Sequence, residues 1–349
     1  MKVTDIKHLV LSGGGMLGIS YLGLLKYLEE NSTVPIINNL ESITGCSAGS
    51  IFGTLIALGY TSTELNSIVK IINFKDFITI NAESIINFMK LKGLDSGKNL
   101  ITFVKKCIKD KTDNENFTFL EMKQKFNIEL QIGVTNLSKS RFELMNSVNT
   151  PNIPIFKAIN ASFAIPFIFE PIIIDDDVYC DGGIINNLPI ENIFAYKTNT
   201  DINDHNINEE KANIKENKEE NTEENKLEKK EENTKDTYKN SKKKIVESVL
   251  GIYLLNEIDT ITKNNYQTIN FTNYMSSFLH TMSFEFINKK IQINNIDNEK
   301  YKIIMFKIPY DIMTFLKIKS SHKDIDNIIE IAYDTTKLAF SKVVPKSAF

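Results

Sequence analysis

The 349-residue chain contains few cysteines, no tryptophan and no large excess of either charge. Its three cysteines, Cys46, Cys107 and Cys180, are far apart and include no C-x-x-C pair, which argues against a disulfide framework or a zinc site and fits a reducing compartment. We expect all three to be small buried side chains. The net charge of −3 provides no general basic field, so nucleic acid is not an expected partner.

Long apolar runs are also missing. Residues 1–6 contain no apolar signal core, and no run is long enough to span a bilayer. The most apolar stretch, residues 163–174, is interrupted by Pro166, Glu170 and Pro171. We therefore expect a soluble, cytoplasmic protein that has no transmembrane segment and contacts membranes peripherally. A hydrophobic content of 42% is ample for a buried core.

Residues 40–59 predict a strand, a tight turn and a helix. Leu40 and Ile43 form an apolar strand, the turn is Gly45-Cys46-Ser47-Ala48-Gly49, and apolar residues then recur at helical spacing. In a nucleophile elbow, a serine at such a turn is strained and exposed, and its flanking glycines avoid steric collisions. Ser47 is therefore the candidate nucleophile. The alternative is an ordinary glycine-bounded turn with a solvated serine.

A glycine-rich loop follows the first predicted strand, residues 8–12. The loop is Gly13-Gly14-Gly15-Met16-Leu17-Gly18, and residues 19–30 are predicted to be helical. Backbone amides at such a junction bind anions. The loop fits an oxyanion hole or the pyrophosphate site of a dinucleotide, with a structural turn as a third possibility. A dinucleotide site expects an acidic residue at the end of the second strand, whereas Glu41 lies at the start of its strand.

Most other elements follow from periodicity. Residues 92–95 are predicted to form a turn, and residues 129–135 and 141–146 to form paired strands. Asp175-Asp176-Asp177 separates two short strands and is predicted to be a solvated hairpin turn, because it lacks the spacing of a calcium loop. Asp181-Gly182-Gly183 ends the second of these strands, where the aspartate is either a turn former or a general base. Predicted helices are residues 61–72, 82–89, 96–108, 151–161, 245–258, 270–286 and 325–340.

Residues 201–244 are of low complexity, charged and almost without apolar side chains. Such a segment buries too little surface to offset its ordering entropy, so we expect a disordered insert. Residues 301–308 are predicted to form a strand after the insert. The alternation of strands and helices indicates an α/β fold with a mainly parallel sheet, in which ligands bind at the carboxyl ends of the strands.

Together the glycine loop, G-x-S-x-G and D-G-G, in this order and at these spacings, resemble the patatin-like phospholipase family. Ala161-Ser162-Phe163-Ala164-Ile165-Pro166 is also similar to the family's segment ahead of its catalytic aspartate. The resemblance implies a three-layer α/β/α fold with a helical lid region. It implies a catalytic domain over residues 7–195, followed by the insert at 201–244, with residues 245–349 completing the same domain.

The resemblance further implies a phospholipase A-type acyl hydrolase of lipid metabolism. Its catalytic dyad would be Ser47 and Asp181, with lipid at a membrane or micelle as the substrate and no metal or cofactor. Leu17 departs from the family, which often has Arg or Lys there, so a positive charge is missing. The implied oxyanion-hole residues are Gly13, Gly14, Gly15 and Met16, and the implied motif glycines are Gly18, Gly45, Gly49, Gly182 and Gly183.

Other interpretations stay open. A Ser–His–Asp hydrolase would use His280 or His322, which follow Asp181 in the chain. However, that fold normally places several strands before its elbow, and 40 residues leave room for one or two. An acyltransferase, a neutral-lipid lipase and a catalytically silent lipid-binding module are also compatible with the motifs. The lipid class, the acyl position and the oligomeric state are not readable from the sequence.

Overall fold

Strands and helices alternate along most of the chain. The structure, a computed structural model, describes residues 1–191, 249–256, 277, 281, 301–309 and 322–341. The strands are β1 (His8–Leu11), β2 (Ser42–Cys46), β3 (Gly93–Asp95), β4 (Glu129–Asn136), β5 (Arg141–Met145), β6 (Phe167–Phe169), β7 (Ile172–Ile174), β8 (Asp177–Asp181), β9 (Val249–Asn256) and β10 (Tyr301–Ile308). The α-helices are α1 (Tyr21–Glu30), α2 (Ala48–Ala57), α3 (Ser62–Ile71), α4 (Ala82–Leu91), α5 (Lys98–Thr112), α6 (Phe119–Phe126), α7 (Ile155–Ser162), α8 (Gly183–Asn186) and α9 (His322–Phe340).

Eight of the described strands form one sheet in the order β10-β9-β1-β2-β4-β8-β7, with β5 also paired to β4. The five strands from β10 to β4 are parallel, whereas β5 and β8 run antiparallel to β4. Helices flank this sheet, which confirms the predicted α/β class with a mainly parallel sheet. Because these strands are parallel, the carboxyl ends of β1, β2 and β9 lie at one edge of the sheet.

The centre of the sheet is the hydrophobic core. Strands β1, β2 and β4 are buried along their whole length, as expected for parallel strands covered on both faces. Helix α2 packs on β2, α7 packs on β4, and α1 packs against α9. Burial on this scale holds the loops after β1 and β2 on a rigid support.

Two sequence-based element predictions are wrong. Residues 245–258 were expected to be helical, but β9 lies within them, paired in parallel with both β1 and β10. A short apolar run suits a fully buried parallel strand as well as a buried helix, and periodicity does not separate the two. Residues 92–95 were expected to form a turn, but β3 pairs in parallel with β6 in a separate two-stranded sheet.

The remaining predicted elements agree with the structure within a few residues. The antiparallel pair β4 and β5 and the hairpin of β7 and β8 are both present. One difference is at the first helix, where a 3-10 helix over Gly15–Ser20 precedes α1. The 201–244 insert and the predicted helix at residues 270–286 lie outside the described residues, except for the isolated positions 277 and 281.

Candidate active site

Ser47 occupies the turn between β2 and α2. Its backbone has φ 51° and ψ −122°, a conformation that non-glycine residues adopt only under strain and mostly at functional sites. A Cβ added to Gly45 would lie 2.2 Å from the carbonyl oxygen of Gly49, and one added to Gly49 would lie 2.2 Å from that of Leu11. The two motif glycines are therefore required by close backbone approach, and they let the turn present Ser47 at the sheet edge.

Asp181 is the last residue of β8 and lies beside Ser47. The Gly183 amide donates a hydrogen bond to the carboxylate at 2.7 Å, and the Ser47 hydroxyl lies close enough to act on it as a donor. The side chain is only 4% exposed. Burial raises the pKa of Asp181 to about 6, and the two hydrogen bonds oppose that rise. Ser47 and Asp181, 134 positions apart in the chain, thus lie side by side as a serine–carboxylate pair.

The end of α7 connects the two members of this pair. The Ser47 amide donates to the hydroxyl oxygen of Ser162 at 2.9 Å, and that hydroxyl donates to the Gly133 carbonyl at 2.6 Å. Two residues further on, the Ala164 carbonyl accepts the Asp181 amide at 2.9 Å. The segment that sequence analysis noted only as a family feature therefore holds the backbone of both candidate catalytic residues.

The glycine loop faces Ser47. A Cβ added to Gly13 would lie 2.8 Å from the Ser47 Cβ, and Gly15 has a positive φ of 54°. The amides of Gly14, Gly15 and Met16 form the first turn of a 3-10 helix and have no acceptor within the described residues. An approaching anion thus meets these unpaired amides. The loop that also fitted a dinucleotide site in sequence thus lies against the candidate nucleophile.

Asn187 is a site residue that sequence analysis missed. Its Oδ1 accepts the Gly13 amide at 2.8 Å, and its Nδ2 is 3.3 Å from the Gly13 carbonyl oxygen. Gly13 was expected to contribute to an oxyanion hole, but its amide is already engaged by this side chain. The amide donors left for an anion are those of Gly14, Gly15 and Met16. The only sequence signal for Asn187 was its position shortly after D-G-G.

A cavity of about 310 Å³ opens beside the pair and extends under α3 and α5. Ser47, Asp181 and the glycine loop contribute the polar part of its wall. The rest is almost entirely apolar, so the cavity suits a long hydrocarbon group better than a polar one. The apolar wall includes Leu55, Leu65, Ile68, Val69, Phe77, Leu100, Phe103, Phe163 and Leu254.

The patatin-like phospholipase family model matches residues 9–194, more than half of the chain. The chain belongs to the patatin-like phospholipase family. The matched range contains the glycine loop, the Ser47 turn, the end of α7 and Asp181.

The chain is also similar to curated proteins and to solved structures. The chain is 34% identical over 187 residues to uncharacterized protein R571 of Acanthamoeba polyphaga mimivirus, covering 54% of this chain and 61% of that protein. It is 31% identical over 198 residues to probable lipid hydrolase 463L of Invertebrate iridescent virus 6, covering 56% and 66%. The matches thus span less than two thirds of these relatives. Among solved structures, VipD from Legionella pneumophila superposes with a TM-score of 0.48 at 16% identity, covering 96% of this chain and 67% of VipD.

Leu17, where the patatin-like family often has a basic residue, is buried and lines the cavity. The substitution therefore extends the apolar wall next to the glycine loop. The amides of the loop are unaffected, because they belong to the backbone. A cation that would attract a charged headgroup is absent at this position.

The histidines of the described residues do not support a Ser–His–Asp triad. His322 is exposed at the start of α9, with its Nε2 3.2 Å from the Lys70 carbonyl oxygen. His8 is buried in β1 and bonds the Ser42 hydroxyl at 2.8 Å. His280 lies outside the described residues. Asp181, by contrast, interacts with the Ser47 side chain itself.

The three cysteines are free and buried, as predicted. Burial raises the pKa of the Cys46 thiol well above its usual value, and the nearby Asp181 charge raises it further. Burial likewise raises the pKa of Cys180 to about 12. These neighbours of the serine–carboxylate pair are therefore neutral thiols without nucleophilic character.

Asp175 and Asp176 form the turn of the predicted hairpin, and Asp177 is the first residue of β8. Asp177 bonds Lys139 and Asn136, and no group of three or more ligating side chains suited to a metal occurs in the part of the chain that is described.

No helix of the described residues is long and apolar enough to cross a membrane.

Proposed function

We propose that the chain hydrolyses fatty-acyl esters of lipids in a phospholipase A-type reaction, with Ser47 as the nucleophile and Asp181 as the general base. One observation carries the proposal: the buried Asp181 carboxylate lies beside the Ser47 hydroxyl in the wall of an apolar cavity. Membership in the patatin-like phospholipase family supports the same reaction class.

In the proposed reaction, Asp181 takes the proton of the Ser47 hydroxyl as Oγ bonds to the ester carbonyl carbon. The carbonyl π electrons move to oxygen, and the amides of Gly14, Gly15 and Met16 stabilise this oxyanion. The tetrahedral intermediate then expels the lipid alcohol, which receives the proton from Asp181. Water, deprotonated by Asp181, then attacks the acyl group on Ser47; the bond to Ser47 Oγ breaks, Oγ takes the proton back from Asp181, and the fatty acid is released.

The raised pKa of Asp181 suits this role. A carboxylate with an ordinary pKa near 3.8 is a weak base at neutral pH, whereas burial brings this one to about 6. A base is most effective when its pKa lies near the working pH. At neutral pH, Asp181 is mostly ionised and still binds a proton more readily than a solvated aspartate does.

The test is fatty-acid release from phosphatidylcholine vesicles, with EDTA present throughout. Ser47→Ala and Asp181→Asn should each lower the rate at least about a thousandfold. Matched controls are Ser67→Ala on the exposed face of α3 and Asp177→Asn at the start of β8, which should retain activity. Equal rates in Ser47→Ala and the wild type would refute the proposal.

The same assay separates hydrolysis from the alternatives that the sequence left open. A transferase would release little free fatty acid until an acceptor alcohol is added. A neutral-lipid lipase would cleave emulsified triacylglycerol and leave the vesicles intact. A lipid-binding module would cleave neither substrate.

A further inference from the structure

Helix α4 presents apolar side chains to solvent. Ile85 is 63% exposed, Ile86 80% and Met89 84%, and no residue of α4 is buried. Six of the thirteen large exposed apolar side chains among the described residues fall between positions 71 and 91. A helix on a water-facing surface normally turns its apolar side chains towards the core, and α4 does the opposite.

The exposed side chains share one face of the helix. Ile85 and Ile86 lie four and three positions before Met89, a spacing that brings them together. On another face Phe88 is half-buried and packs on Phe167, with ring centroids 6.4 Å apart. The helix is thus anchored by Phe88 while its apolar face stays free. The α4 apolar surface is defined as Ile80, Ile85, Ile86 and Met89, all exposed.

This surface adjoins the cavity. Ile80 is exposed and also lines the cavity wall, which Phe77 and Ile78 just before it line too. The surface and the wall are therefore continuous. A hydrocarbon chain that moves from the α4 apolar surface into the cavity stays in contact with apolar side chains, so it need not cross open water.

The charges around the surface are slightly basic. Between residues 75 and 92, Lys75, Lys90 and Lys92 outnumber Asp76 and Glu83, whereas the whole chain carries a net charge of −3. Apolar side chains flanked by lysines are characteristic of segments that lie in the interface of an anionic bilayer.

We propose that the α4 apolar surface is the face by which the chain docks on a lipid bilayer, with the cavity mouth held against the membrane. The proposal rests on the proposed function, because the cavity is taken to receive an acyl chain. It adds the site of membrane contact, which the catalytic geometry does not specify. Apolar contact supplies most of the binding, and the lysines favour anionic headgroups.

Binding is measured by flotation with vesicles of equimolar phosphatidylcholine and phosphatidylglycerol, using the full chain with Ser47→Ala so that lipid is not consumed. Ile86→Glu/Met89→Glu should weaken vesicle binding about tenfold or more, because two carboxylates would enter the interface. The matched control is Leu137→Glu/Leu338→Glu, which adds the same charges at exposed leucines outside the α4 apolar surface. The control should bind like the parent. Thermal unfolding checks that all three proteins are folded.

Equal flotation of the parent and of Ile86→Glu/Met89→Glu would overturn the proposal, as would a parent that does not bind vesicles. Sedimentation provides a second check. If the parent is a dimer and the α4 variant a monomer, a second copy of the chain covers this face and the membrane assignment is wrong.

Hydrolysis of a soluble short-chain ester by the Ser47-containing chain separates this proposal from the proposed function. Vesicle binding that depends on α4, together with no ester hydrolysis, would leave the docking surface standing and refute the catalytic assignment. Ester hydrolysis without vesicle binding would refute the docking surface alone.

Discussion

At the scale of single residues, Asp181 combines two properties that usually exclude each other. It is almost completely buried, which disfavours the charged form, yet its role as a base requires that form. Two hydrogen bonds, from the Ser47 hydroxyl and the Gly183 amide, support the carboxylate. Stability and the proposed activity therefore place opposite demands on this one side chain.

The first prediction is that Asp181→Asn stabilises the fold at alkaline pH. Folding raises the pKa of Asp181 from 3.8 to about 6. The folded state therefore favours the protonated carboxyl. This contribution to stability is fully present below the unfolded-state pKa and is lost as pH rises through the folded-state pKa. A shift of about two units corresponds to about 3 kcal/mol. The variant should thus exceed the wild type in free energy of unfolding by up to about 3 kcal/mol at about pH 8.

Urea unfolding measured across pH checks this prediction. The advantage of Asp181→Asn should shrink as pH falls through about 6 towards about 4. Asp177→Asn is the control of opposite sign, because Lys139 lowers the pKa of Asp177 and its ionised form is therefore favoured by folding. A pH-independent difference for Asp181→Asn would contradict the assigned burial of the charge.

The rate should follow the same titration in the opposite direction. Below about pH 6, Asp181 is protonated and no longer accepts the Ser47 proton, so kcat/KM for a soluble ester should fall about tenfold per pH unit. If kcat/KM stayed constant as the pH fell below about 6, Asp181 would not be the base.

At the scale of elements, the end of α7 links the loop after β2 to the end of β8. Ser162 is fully buried and bonds the Ser47 amide and the Gly133 carbonyl. These two hydrogen bonds occupy the Ser162 hydroxyl, and the proposed reaction gives it no proton to carry. We assign it to positioning, since it fixes the backbone of the strained turn.

The second prediction is that Ser162→Ala lowers kcat about ten- to a hundredfold with little change in KM. Leaving the buried Ser47 amide without its acceptor costs about 1–3 kcal/mol, and displacement of the nucleophile reduces the rate of the chemical step. The control is Ser42→Ala, which removes a buried hydroxyl from the start of the same strand β2. Similar losses of thermal stability in both variants, with kcat affected only in Ser162→Ala, would establish positioning. Equal kcat values would refute it.

Local patterns predicted much of the site because its parts are short motifs on the ends of strands. Gly45 is required by the close approach of the Gly49 backbone within the same turn, which a sequence motif records, whereas Gly49 is required by the Leu11 carbonyl at the end of β1. The bond between Ser162 and Ser47 spans 115 positions and the bond between Asn187 and Gly13 spans 174. Partners this distant depend on strand order, so no local pattern identifies them.

The two mistaken elements have a related cause. Residues 249–254 of strand β9 are buried on both faces of the sheet, so its apolar side chains lack the alternation that marks a half-exposed strand. Strand β3 is three residues long and is stabilised by its pairing with β6 rather than by its own pattern. Both are formed by tertiary contacts.

At the scale of the whole molecule, the site draws on both sides of the charged insert. The glycine loop, Ser47 and Asp181 come before it, while β9 comes after it and packs Leu254 against Gly14. Strand β9 also separates β1 from β10 in the sheet. The C-terminal part of the chain is therefore needed to complete the sheet beside the glycine loop.

The third prediction contrasts two deletions. Removing residues 201–244 should leave solubility, thermal stability and ester hydrolysis nearly unchanged, because this segment is charged and almost without apolar side chains. Ending the chain after Glu191 should abolish soluble expression, because β1 then loses its neighbour β9 and its core packing. Loss of soluble protein on removal of 201–244 would show that the insert contributes to the fold.

The most direct test of the central claim is to identify the residue that reacts with a long-chain alkyl fluorophosphonate, using mass spectrometry of the digested protein. We expect one adduct, on Ser47, that is absent in Ser47→Ala and forms much more slowly in Asp181→Asn. Labelling should be unaffected in Ser67→Ala and Asp177→Asn. An adduct on another residue, or an unlabelled chain that still releases fatty acid, would contradict Ser47 as the nucleophile.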